Sequence, residues 1–147
     1  KENNYNMTTE DLHSCGAIYF ANIREGFEKY RHQTVKLNRQ AAVNMIMSEI
    51  KQGSQGYIDF YYYKLEDEAR AKVDEMLDED EREYLEELSK QVEDKETDIV
   101  FELTEELLDI VTRLNEMETL FSTIYLVGNT RSTWWGNYNG EYVIFTE

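Results

Sequence analysis

The chain has no proline, one cysteine and two histidines among its 147 residues. Each scarcity closes a route. Cys15 has no partner for an intramolecular disulfide, so a reducing, cytoplasmic setting is expected. His13 and His32 are nineteen residues apart in the sequence, and with a lone Cys they form no cluster at metal-ligand spacing. A His13–Cys15 dyad is disfavoured because residues two apart on a helix point to different sides. Glycine is sparse and makes no phosphate-cradling or dinucleotide fingerprint, and no nucleophilic triad pattern is present. No apolar run approaches the ~18–20 residues that span a bilayer, and none has the form of a signal-peptide core. These absences predict a protein without catalytic residues, metal or cofactor, and without a membrane partner.

Basic residues are also scarce, 15 against 31 acids, giving a formal charge of −16. The imbalance is local. Residues 65–118 carry 22 Asp and Glu against six Lys and Arg, which accounts for the whole net charge. An acidic chain is repelled by nucleic acid and by anionic membranes, so its electrostatic partners should be basic. An apolar fraction of 41% and an aromatic fraction of 13% argue for a packed core despite the charge. The length fits one domain, placed at residues 7–147, with residues 1–6 read as disordered or a tag remnant if Met7 is the native start.

The acidic stretch reads as two long helices folded into a hairpin. In the second, Val100, Leu103, Leu107, Ile110, Leu114, Met117 and Phe121 recur at spacings of three and four, an apolar seam of heptad period. Thr97 or Asp98 can cap its start. The first carries Leu65, Ala69, Val73, Met76, Leu77, Tyr84, Leu85, Leu88 and Val92, and the acids at 78–81 mark a kink or break in it. The reversal falls within residues 90–98. At 1.5 Å per residue each arm would be roughly 35–40 Å long.

The rest reads as a framework. Thr8 or Thr9 caps a first helix with Leu12, Cys15, Tyr19, Ile23, Phe27 and Tyr30 on one face. Residues 31–37 read as a connection. Asn38 caps a further helix that stops at Gly53. Residues 57–63 have strand chemistry and are expected on a sheet edge. Residues 122–127, 131–135 and 141–146 follow as strands separated by Gly-Asn turns, a small C-terminal antiparallel meander. The expected class is α+β: N-terminal helices, an acidic helical hairpin and this sheet.

Two spacings in the acidic stretch carry a resemblance. Glu83-Tyr84-Leu85-Glu86 and Glu106-Leu107-Leu108-Asp109 form an ExxE…ExxD pattern over 27 residues. It resembles that of the all-α, MazG-type nucleotide pyrophosphohydrolases. The resemblance implies an all-α bundle, Mg²⁺ held by these four acids, and release of pyrophosphate from a nucleoside triphosphate.

Read from the residues alone, the charge points elsewhere. The expected function is a small non-enzymatic binding protein that occupies the basic, nucleic-acid-binding surface of a partner. Its most concrete form is a phage- or mobile-element-encoded inhibitor of the anti-CRISPR or anti-restriction type, acting on a bacterial defence nuclease by nucleic-acid mimicry. The residues expected to contact the partner are Glu79, Asp80, Glu83, Glu86, Glu87, Glu93, Glu102, Glu105, Glu106 and Asp109. Trp134 and Tyr138 are expected beside them as exposed aromatic anchors. A third reading is a helical assembly subunit, a homodimer paired through the seam of residues 100–121.

Overall fold

The computed structural model describes residues 6–7, 9–90 and 100–147. It is a mixed α+β protein built on one antiparallel sheet. In chain order the elements are β1 (Asn6–Met7), α1 (Thr9–Ser14), α2 (Ile23–Lys29), β2 (Arg31–Lys36), α3 (Arg39–Lys51) and β3 (Gln55–Asp59). There follow α4 (Asp67–Asp74), α5 (Glu79–Ser89), β4 (Val100–Glu102), α6 (Glu105–Glu116), β5 (Thr123–Val127), β6 (Ser132–Gly136) and β7 (Glu141–Thr146). The spatial order of strands is β1-β4-β3-β5-β6-β7-β2, every neighbouring pair antiparallel.

Local chemistry sets several boundaries. Asn38 accepts from the Ala41 N–H at 2.8 Å and starts α3, and Gly53, at φ +111°, ends it in the left-handed conformation that glycine tolerates. Asp78 and Glu81 form a reciprocal capping box at the head of α5. Thr104 caps α6 through the Leu107 N–H. The expected first helix is cut at Gly16, φ +98°, so its face is shared between α1 and α2. The Thr8 cap lies outside the described residues.

The sheet separates two apolar layers. On one face Ile58, Ile124, Leu126, Trp134 and Tyr142 pack under α3, α4, α5 and α6. On the other, Val100, Tyr125, Val143 and Phe145 are covered by the N-terminal segment, with Leu12, Ala17 and Ile18 at its centre. The β5–β6–β7 meander forms as expected, but as part of a larger sheet. Residues 31–36 are a strand rather than a connection. Gln55–Asp59 is an interior strand between β4 and β5, and the tyrosines after it turn into a 3₁₀ helix, Tyr61–Lys64.

The two long acidic arms are not continuous. The first divides into α4 and α5 at residues 75–78. The second begins as strand: Val100 and Phe101 are both buried because the sheet is covered on both sides. The three-and-four spacing thus spans a strand and a helix. Its helical part, Leu107, Ile110 and Leu114, is buried in the chain's own core, whereas Met117 is exposed. The reversal expected at 90–98 lies almost wholly outside the described residues, as do Val92 and the caps expected for the second helix, Thr97 and Asp98.

Candidate functional site

Glu79, Asp80, Glu83, Glu86 and Glu87 of α5, Glu102 of β4 and Glu105 and Glu106 of α6 are all exposed. Glu93 lies outside the described residues. The arrangement follows from α5 presenting only Leu85 and Leu88 as buried residues, so its remaining sides face water. Among the described residues, Glu87 has a surface partner in Lys90 at 2.9 Å, while Glu79, Asp80, Glu83 and Glu86 make no ion pair. Three acids in the first turn of α5 sit favourably against the helix dipole. Glu86 and Glu87 sit at its C-terminal end, where the dipole disfavours negative charge and the C-cap residue Lys90 pairs with Glu87.

Asp109 is different. It accepts from Arg39 and, at 2.9 Å, from Arg113, whose guanidinium also forks onto Glu81 at 2.7 and 2.6 Å. This bidentate pair ties α5 to α6 and is only partly solvated. Hydrogen bonding to Arg113 holds the Glu81 carboxyl below its ordinary pKa against the opposing effect of burial, with the Asp78 N–H assisting. Glu81 in turn raises Arg113. The Tyr84 and Thr104 hydroxyls, 2.6 Å apart, make a second tie between these elements, and the Tyr63 hydroxyl donates to the Leu85 carbonyl at 2.5 Å.

Between α5 and α6 lies a cleft of about 130 Å³ lined by Asp78, Asp80, Glu81, Tyr84, Glu106, Asp109 and Ile110. It gathers the second half of the ExxE…ExxD pattern but not the first, because Glu83 and Glu86 project elsewhere from α5. Among the described residues no group of three or more His, Cys, Asp or Glu has a geometry that could hold a metal ion. The sheet also departs from the all-α bundle that the MazG-type resemblance implies.

Trp134 is not an exposed anchor. It is 4% exposed, on the helix-covered face against Tyr142, and its neighbour Trp135 packs half-buried on the opposite face. Strand alternation requires one tryptophan on each face, and both faces of this sheet are covered. Tyr138 is exposed, at 59%, and packs edge-on against Phe121 with ring centres 4.8 Å apart. Its turn is held by the Asn139 N–H donating to Glu118 at 2.8 Å; both residues adopt positive φ, 64° and 59°.

The sequence reading missed Asp59. This carboxyl on the interior strand β3 accepts from the Thr123 N–H at 2.7 Å, and burial pushes its pKa up to about 7 against that bond. The Tyr125 hydroxyl is shifted upward by burial and then by Asp59. An alternation of Asp59 with the buried Ile58 and Phe60 was the available signal.

No family model, curated protein or solved structure significantly matches the chain.

Proposed function

We propose that the chain is a non-enzymatic binding protein whose acidic helical face docks on the basic, nucleic-acid-binding surface of a partner protein. The supporting observation is the row of exposed carboxylates on α5, of which Glu79, Asp80, Glu83 and Glu86 have no ion-pair partner among the described residues, continued beyond the first turn, where the helix dipole gives no reason for them. Concentrating like charge in this way disfavours the compact state, whereas a cationic groove would compensate it. The most concrete form is an inhibitor encoded by a phage or mobile element that fills the nucleic-acid channel of a defence nuclease. Tyr138 serves there as an aromatic contact, and Trp134 has no part.

The test is a variant with Glu79, Asp80, Glu83, Glu86 and Glu87 changed to Gln. It should keep the fold and fail to retain a nucleic-acid-handling protein that wild type retains at low salt and releases at high salt. Equal retention by the two proteins would remove the proposal. One observation favours a second reading: Glu106 and Asp109 share a cleft with three other acids. That reading requires Mg²⁺-dependent pyrophosphate release from a nucleoside triphosphate, lost in Glu106→Gln; no release in wild type ends it.

A further inference from the structure

β2 is the terminal strand of the sheet, and among the described residues no element pairs with its outer side. Five of its six residues are exposed, and Val35 alone is half-buried. The Leu37 N–H donates to the Gly140 carbonyl at 2.9 Å. Antiparallel alternation from that bond directs the N–H and C=O of Val35, Gln33 and Arg31 toward β7. The N–H and C=O of His32, Thr34 and Lys36 therefore face outward, a ready template for one more strand.

Two features flank this template. Phe27, 42% exposed, stacks edge-on with His32 on one face of the sheet. On the other face Met45, 45% exposed, borders a groove with Trp134, Ile144 and Thr146. A strand added to β2 would thus find exposed apolar contact at Phe27, while the groove bordered by Met45 lies over β6 and β7 and includes no residue of β2. The ionisable side chains of β2 are Arg31, His32 and Lys36, with no acid among its six residues. Glu141, opposite Lys36 on β7, makes no ion pair with it among the described residues.

We propose that the outer edge of β2 is a second docking site, which receives an extended acidic segment of another protein as an added antiparallel strand. Main-chain hydrogen bonds to His32, Thr34 and Lys36 hold the segment, and its carboxylates meet Arg31 and Lys36. A second copy of this chain is a poor occupant. Symmetric antiparallel pairing opposes outward-facing residues, as about Thr34, where His32 meets Lys36 of the other copy, and β2 brings no carboxylate to either chain's cations. The inference does not depend on the acidic helical face.

The test uses the full chain and the acetylated, amidated peptide Glu-Val-Glu-Val-Asp-Val-Glu at millimolar concentration, read by amide hydrogen exchange. The peptide should slow exchange at His32, Thr34 and Lys36. A counterpart with Gln for every acid should bind about two- to fivefold more weakly, since the peptide's acids share one face and meet either Arg31 or Lys36. An N-methylated version should not bind, because its side chains are intact but its strand donors are gone. Thr34→Pro removes an outward donor that β7 does not use, so it should abolish the effect in a chain that still gives a dispersed amide spectrum. No slowing at these three amides overturns the proposal, as does equal slowing by the Gln peptide. Protection that grows with protein concentration alone also overturns it, by making a second copy the occupant.

Discussion

α5 and α6 are neighbouring acidic helices of 11 and 12 residues, yet they are held in place differently. α6 buries Leu107, Leu108, Ile110, Val111, Thr112, Leu114 and Asn115, whereas α5 buries only Leu85 and Leu88. α5 depends instead on polar ties: the Arg113 fork onto Glu81, the Tyr84–Thr104 contact and the Tyr63–Leu85 bond. Burial binds α6 to the sheet whatever its outer face carries. Among the described candidate-site carboxylates that make no ion pair, the lightly buried α5 bears four, Glu79, Asp80, Glu83 and Glu86, against two on α6, Glu105 and Glu106. A binding surface can be loaded with charge where the core does not depend on it.

The comparison is broken most severely by Leu114→Ala. Leu114 is fully buried, and the cavity should cost about 2–5 kcal/mol, seen as a lower midpoint in urea unfolding. Arg113→Ala comes next. It leaves Glu81 without its bidentate partner beside Asp109, which keeps only Arg39, at a cost of about 1–3 kcal/mol. Its signature is pH dependence. Glu81 has a depressed folded pKa, so its contribution is present above the ordinary carboxylate pKa and disappears as pH falls through the folded value. The stability difference between wild type and Arg113→Ala should therefore shrink in acid. Hydrogen exchange should also show α5 opening by itself in this variant while α6 remains protected.

Asp59→Asn tests the sheet side of the same comparison, with the opposite sign. Folding raises the Asp59 pKa from an ordinary 3.8 to about 7, so the folded state holds the extra proton. The contribution of Asp59 is whole below the lower value and is lost as pH rises through about 7. Asn can still accept from Thr123. The variant should thus gain about 1–2 kcal/mol on wild type at pH 8, a figure reduced for the partial exposure of the residue, and nothing at pH 3. The smallest effect is expected from changing Glu79, Asp80, Glu83, Glu86 and Glu87 to Gln. Each change should move stability by less than about 0.5 kcal/mol, and thermal unfolding should become less sensitive to salt.

Legibility in the sequence followed the range of the interactions. α3 and the β5–β6–β7 meander could be read because Asn38, Gly53 and the Gly-Asn turns act within a few residues. β2 could not, since its side chains are exposed on both faces and show no apolar alternation; only the distant β7 makes it a strand. Val100 and Leu103 kept helical spacing with α6 by coincidence of register. The exposed acids of the site were legible because unpaired carboxylates stay in water. The exception was Asp109, whose partner Arg39 is 70 residues away. Alternation established that Trp134 and Trp135 face opposite sides, but not that both sides would be covered.

The most direct test of the acidic face is competition. The retained partner, loaded with the wild-type chain at low salt, is titrated with its own nucleic acid, and displacement is followed by fluorescence anisotropy of a labelled chain. The account predicts mutually exclusive binding, with the apparent affinity of the chain falling in proportion to nucleic acid added and steeply with salt. Simultaneous binding of chain and nucleic acid, with no loss of affinity, would contradict it.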